Sequence, residues 1–216
     1  RHAMLPHHPG RTAHAADATT TVAAVPDAAE SAVDGDGIRA GGADFGAELA
    51  DVDEVRAAEI YEVFPNVPRF TDYRKMFDAM SSQIDAVVIA TPDHTHALPA
   101  LAAMQLGKHV YVEKPLTHNI GEARQLLAAA QQYKVVTQMG NQGASMDCNA
   151  ELAELVQVGA IGDIHTAHVW TNRPVWPQGV ATPVGKKKAR KTLDWNLWLG
   201  PAPYRMYDPA YLPFKW

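Results

Sequence analysis

Apolar positions divide this chain into unlike parts. From Leu49 onward, short apolar runs alternate with amphipathic stretches. The runs are "IDAVVIA" at 84–90, "HVYV" at 109–112 and "VVTQM" at 135–139. Each is apolar on both faces, as central strands covered by helices on each side are. Between the runs the spacing is helical. Tyr73, Met76, Phe77 and Met80 fall at i, i+3, i+4 and i+7 behind Thr71 and Asp72. Leu98, Leu101 and Ala102 form a second stripe, after Thr95 and before Gly107. Ile120, Ala123, Leu127 and Ala130 form a third; Asn119 can cap its start, with Glu122 reaching back. Leu152, Leu155 and Val156 form a fourth, stopped by Gly159. This alternation predicts an α/β fold of βαβ units with a parallel sheet.

The two ends read differently. Residues 1–45 are Ala, Asp and Thr with few large apolar side chains and no clean period, so no stable structure is expected there. A reading frame shifted upstream of about Glu48 also accounts for that composition. From Asp163, "IHTAHVWTN" alternates loosely and leads into a tail rich in Pro, Trp and Lys. The reading is therefore an unassigned segment 1–45, a domain 46–163, and the beginning of a second domain 164–216. The chain opens on Arg1 and closes on "LPFKW", and reads as a fragment.

Composition narrows the classes. A hydrophobic content of 47% supports a globular core, and a net charge of −5 gives no nucleic-acid footprint. Cys148 stands alone, which excludes an internal disulfide and a cysteine-built zinc site. That suits a reducing compartment, so a cytoplasmic location is expected unless an upstream leader directed export. No apolar run approaches the ~18 residues of a membrane helix, so no membrane partner is expected.

In open parallel sheets, ligands bind beyond the carboxyl ends of the strands. The three runs are followed by "TPDHTH" at 91–96, "EKPLTHN" at 113–119 and "GNQG" at 140–143. Three polar strand ends together favour a ligand crevice. Lys114 precedes Pro115, which pushes its backbone toward the extended region and fixes the direction in which its side chain leaves the strand. A lysine so placed can offer a proton or a hydrogen bond to an oxygen in the crevice. The alternative is a solvated lysine, with the proline as turn punctuation.

The stretch "AVVIATPDHTHALPALAAMQLGKHVYVEKPLTHNIGEARQLL", with "VVTQMGNQG" and "WTNRPVWPQG", resembles the Gfo/Idh/MocA oxidoreductases from about Asp51 to Trp216. The resemblance implies a Rossmann-like domain holding a nicotinamide dinucleotide, followed by the start of an α+β substrate domain. It implies a catalytic role for Lys114, beside the nicotinamide and the reacting carbon, and a supporting role for Glu113. Thr91, Pro92, His94 and His96 match the segment lining the ribose and pyrophosphate. Gln138, Asn141 and Gln142 match the strand end facing the nicotinamide. Asp51, closing "ELAD", matches the acid that bonds the adenosine ribose, which favours NAD over NADP; the alternative is an acid of a helix start, with Asp53 and Glu54. Asn172, Arg173 and Trp176 are candidates to face the substrate.

The implied activity is hydride transfer at a secondary alcohol of a sugar, cyclitol or polyol. Other readings are a non-catalytic nucleotide or sugar binder, a relative of the glycosidases that retain NAD, and a defective fragment. The family's second domain often pairs through its sheet, so a homo-oligomer is among the expectations. One part of the pattern departs from the family. The glycine fingerprint belongs about 20 to 30 residues before the ribose acid. Here "GDGIRAGGADFG" at 35–46 lies too close to Asp51, with no apolar strand before it. The first βα unit therefore reads as missing or scrambled.

Three further features were weighed. His94 and His96 form His-x-His with no third ligand nearby, so no metal is expected. Lys186, Lys187, Lys188, Arg190 and Lys191 read as a solvated loop or, alternatively, a contact for a phosphorylated substrate. Trp170, Trp176, Trp195 and Trp198 read as packing or as a stacking wall for a sugar ring.

Overall fold

Three strands, Ala86–Ala90, His109–Glu113 and Thr137–Gly140, pair side by side in parallel, and the rest of the fold is laid on them. A computed structural model of the chain describes residues 48–172, 177, 179–185 and 187–212, together with the strand segments 21–25, 33–34 and 37–38. In chain order the strands and α-helices are β1 (Thr21–Val25), β2 (Val33–Asp34), β3 (Gly37–Ile38), β4 (Glu48–Asp51), α1 (Ala58–Val63), β5 (Arg69–Phe70), α2 (Tyr73–Met80), β6 (Ala86–Ala90), α3 (Ala97–Gln105), β7 (His109–Glu113), α4 (Ile120–Tyr133), β8 (Thr137–Gly140), α5 (Asp147–Gln157) and α6 (Trp195–Leu199). The main sheet has the order β5-β4-β1-β6-β7-β8, and β2 pairs only with β3. The α/β reading and its three apolar runs are thus realised as a Rossmann-like sheet.

Two expectations change at the amino end. Residues 21–25, placed in a stretch expected to lack structure, form a strand between β4 and β6. The sheet is also mixed rather than purely parallel, because β1 runs antiparallel to both neighbours. Without β1, two facing rows of backbone N–H and C=O groups would go unpaired, and "TVAAV" has the β-branched character a strand favours. Apart from the two-residue strands β2 and β3, the rest of the stretch expected to be disordered or frame-shifted, including most of the glycine run 35–46, lies outside the described residues.

The core sits between the sheet and helices α2, α3 and α4. Met76 and Phe77 are buried from α2, as the stripe predicts, against Ile84, Val87, Ile89, Val110 and Val112. On α3 the buried face is Ala97, Ala100, Ala103 and Met104, whereas Leu98 is exposed. That helix is apolar all round, so periodicity alone could not select its face; small alanines let it approach the sheet. On α4, Leu126 and Ala129 are buried, with Ile120 and Leu127 exposed, one position away from the predicted stripe. Adjacent Leu126 and Leu127 are equally apolar and left that choice open.

Asn119 caps α4 as expected, accepting from the Glu122 backbone N–H at 2.9 Å. Glu122 does not return to Asn119. Its carboxylate takes the backbone N–H and the ring of His118 instead. Helix α5 exposes Leu152, Leu155 and Val156. The loosely alternating segment 164–172 forms no strand, and Val169 and Trp170 are exposed. No described strand lies beside that segment, and an isolated strand has nothing to pair its backbone.

Residues 187–212 fold back onto the sheet. The Asp194 N–H donates to Val52 O at 2.8 Å, and the Glu54 N–H donates to Thr192 O at 3.0 Å. Buried Asp53 pairs with Arg190, so this member of the basic run is a docking contact, not part of a solvated loop. Asp194 caps α6 through the Leu197 N–H. Trp195 and Trp198 stack with ring centroids 4.8 Å apart and join Leu193 and Leu199 in a second core. The packing reading holds for these two tryptophans.

His94 closes this dock. Its Nε2 lies 3.1 Å from both Trp198 O and Leu199 O, so Nε2 carries the hydrogen and donates to the pair. Gly200 follows at φ +53°, and a Cβ there would stand 2.8 Å from Thr95 Cγ2.

Two predictions follow from these contacts. Replacing Asn119 with Ala should cost about 1 kcal/mol of stability, and Asn119→Asp should cost far less. Urea unfolding reads both, and equal losses would show that the cap is not what matters. Burial, only partly offset by the two carbonyl bonds, holds the His94 pKa below its ordinary 6.5. The folded state then binds fewer protons than the unfolded one. Its stability is complete above that value and falls as pH drops through the folded pKa. Wild type should therefore lose more stability between neutral and mildly acid pH than His94→Gln. Parallel pH profiles for the two proteins would refute that assignment.

Candidate active site

The carboxyl ends of β4, β6, β7 and β8 share one edge of the sheet, and the sequence-predicted residues fall into two groups along it. The first group lines an open cleft. Ala50 and Val52 at the end of β4, Thr71 to Tyr73 at the start of α2, and Thr91 and Pro92 after β6 form its walls. Thr95, Leu98 and Pro99 continue it, and Leu197, Trp198 and Gly200 of the docked segment complete it. The lining is mainly apolar, with few polar groups. One of them is notable. Thr91 is only 8% exposed, and its hydroxyl has no hydrogen-bond partner among the described residues. A buried hydroxyl left unpaired costs on the order of 1–3 kcal/mol, which a ligand oxygen or N–H could recover.

Asp51 lies between cleft residues Ala50 and Val52 but is itself buried. One carboxylate oxygen accepts from the Asp53 N–H at 2.8 Å. Asp72, at the cleft mouth, is held by Arg74, whose guanidinium keeps this carboxyl below its usual range. His94 is turned to the α6 carbonyls. His96 is 1% exposed, and its ring nitrogens lie 2.6 Å from Pro115 O and 2.7 Å from Thr91 O. Both histidines therefore serve in bracing loops, where the sequence reading had them lining the cleft. Their rings are spent on backbone carbonyls.

The second group stands at the end of β7. Glu113 is half-buried, and its carboxylate accepts from Gln142 Nε2, which also reaches the Tyr111 hydroxyl at 3.2 Å. Burial and the Glu113 charge raise the Tyr111 pKa. Gly140 makes the cluster fit. A Cβ there would lie 2.7 Å from Glu113 Oε1 and 2.9 Å from the Tyr111 ring. Lys114 follows at a cis bond to Pro115; its side chain is exposed and makes no hydrogen bond or ion pair among the described residues.

The remaining candidates are not gathered in. Gln138 donates to Met139 O on its own strand. Asn141 is exposed just past β8, and Asn172 is exposed in the segment without a strand. Arg173 and Trp176 lie outside the described residues. Tyr111 and Gly140 were missed, and Trp198 was weighed only as packing or as a stacking wall for a sugar ring. Tyr111 was legible in principle, since a strand period of two puts it on the face of Glu113. Trp198 arrives from about a hundred positions away along the chain, and no local pattern announces it.

Comparison with known proteins agrees with this arrangement. The family described as "Oxidoreductase family, NAD-binding Rossmann fold" (GFO_IDH_MocA) matches residues 46–141. An uncharacterized oxidoreductase of Streptococcus pneumoniae is 30% identical over 118 residues, 55% of this chain and 31% of its own. A UDP-N-acetylglucosamine 3-dehydrogenase of Acidithiobacillus ferrooxidans is 38% identical over 100 residues, 44% of this chain and 29% of its own. An inositol 2-dehydrogenase of Rhodococcus erythropolis is 30% identical over 136 residues, 62% of this chain and 39% of its own. The chain thus spans about a third of the length of these relatives. Residues 46–141 are thus similar to this oxidoreductase family and to its NAD-binding Rossmann fold.

Proposed function

We propose that this chain belongs to an oxidoreductase that uses a nicotinamide dinucleotide on a secondary alcohol of a sugar, cyclitol or polyol. The observation that carries the reading is Lys114 just past β7, exposed and without a hydrogen bond or ion pair among the described residues, beside a Glu113 held in place by Gln142. The cleft suits the adenosine side of such a cofactor. Val52, Pro92 and Trp198 offer apolar walls, and the unpaired Thr91 hydroxyl offers a polar contact. Of the two dinucleotides we take NAD, because the acid Asp51 at the end of β4 backs the cleft wall between Ala50 and Val52. The dehydrogenases of UDP-N-acetylglucosamine and inositol among the relatives support a polyhydroxylated substrate.

When bound, the nicotinamide supplies a hydride acceptor or donor for the reacting carbon. The chain's own part is position and proton handling. The Lys114 amino group holds the oxygen on that carbon and passes its proton. Glu113, fixed by Gln142 and by the absence of a side chain at Gly140, keeps the lysine's neighbourhood negative. Tyr111 braces the same cluster through Gln142.

A second reading rests on β1. Its antiparallel course turns the carboxyl end of β1 away from the cleft, where a pyrophosphate would need it. That favours a non-catalytic relative keeping the adenosine wall and the lysine.

One experiment tests both. NAD and NADP binding is followed by fluorescence, and turnover is assayed on a panel of inositols and sugars, for wild type and Lys114→Met. The expected result is NAD binding by both proteins, with turnover lower by roughly 10²- to 10⁴-fold in Lys114→Met. Unchanged turnover in the variant would sink the role given to Lys114. No binding of either dinucleotide would support the second reading.

A further inference from the structure

We infer that His96 is a positioning residue for Lys114. This rests on the proposed role of that lysine. His96 stands just before α3 and is fully buried at 1% exposure. Its Nδ1 lies 2.6 Å from Pro115 O and its Nε2 lies 2.7 Å from Thr91 O. A carbonyl oxygen only accepts, so a ring nitrogen that carries hydrogen donates to the carbonyl it faces. The plane of the ring is set by the two carbonyls on its opposite sides.

The two carbonyls belong to the two loops on which the site stands. Thr91 directly follows β6, and Pro115 lies two positions past the end of β7. The strands themselves are locked in parallel register, Ile89 opposite Val112. Beyond those pairs the loops diverge. The His96 ring spans the divergence, with one nitrogen on each side. Pro115 O is on the residue after Lys114, so holding it fixes the backbone from which the lysine leaves. Thr91 O is on the residue whose hydroxyl is unpaired in the cleft wall. One ring therefore sets the distance between the cleft and the lysine. No part of it reaches a ligand, which is why it is a positioning residue and not a catalytic one.

The test uses the intact chain labelled with ¹⁵N-histidine. The ring signals missing from His96→Gln identify His96 in the wild-type spectrum. A single ordered ring environment, distinct from those of the exposed histidines, is the expected result, and signals averaged like those of an exposed ring would overturn the inference. The same wild-type spectrum decides this even where His96→Gln folds poorly, with His96→Asn as the second variant for assignment. A second readout follows Lys114 by ¹³C reductive methylation, its signal assigned by Lys114→Met. In His96→Gln that signal should shift, and kcat should fall roughly 10- to 100-fold with the dinucleotide KM nearly constant, as a misplaced group acts on turnover more than on cofactor binding. A folded variant with an unmoved Lys114 signal and unchanged kcat would refute the role. The two spectra need no turnover, so they stand apart from the proposed function. Full activity in Lys114→Met would sink that function and leave the ring's bridging state still decided by the spectrum.

Discussion

Parallel pairing of β6, β7 and β8 is the constraint on which the site depends. Parallel strands point their carboxyl ends the same way, so whatever follows each strand is delivered to one edge of the sheet. The register then decides which residues meet. With Glu113 opposite Gly140, the carboxylate of one strand lies over the residue of the next that has no side chain. Tyr111, two positions earlier and on the same face, leans on the same spot. A slip of one position would exchange buried Val110 and Val112 for Tyr111 and Glu113, and the core forbids that. The geometry at Lys114 therefore follows from burial of valines on the opposite face.

The loops beyond the strands have no such register, and histidines supply it. His94 ties the loop after β6 to the end of α6, and His96 ties it to the turn after β7. Both work by meeting backbone carbonyls that would otherwise be buried without a donor. The tryptophan pair and the Asp53–Arg190 contact finish the dock from the carboxyl side. The cleft is thus made by two distant parts of the chain. Its floor comes from the sheet and its far wall from residues near position 198.

What was legible in the sequence follows this division. Strands β6, β7 and β8 could be read because central parallel strands are apolar throughout. The "TPDHTH" and "EKP" segments could be read because strand ends in such sheets carry the polar groups. Helix faces were less certain. On α3 and α4 several neighbouring positions are apolar, and contact with the sheet chose among them. The roles of His94 and His96 could not be read. Their residue type suits a ligand and a brace equally, and the partners are carbonyls, which leave no trace in side-chain identity. The strand at 21–25 was hidden for another reason. Its place depends on the vacancy between β4 and β6, a feature of the assembled sheet rather than of the local sequence.

That vacancy also bears on the chemistry. In a dinucleotide-binding sheet the central strand must run parallel to its neighbours, because only then does its carboxyl end open into a glycine turn and a helix that face a phosphate. Here the central strand satisfies the backbone pairing of β4 and β6 while running the other way. Hydrogen bonding in the sheet is indifferent to this reversal, but phosphate binding is not. The two requirements, a filled sheet and a cradled pyrophosphate, are therefore separable. The apolar cleft and Lys114 stand on β4, β6 and β7, whose course is unaffected. The cleft and the Glu113–Gln142–Tyr111 cluster beside Lys114 are built independently of the direction in which the central strand runs.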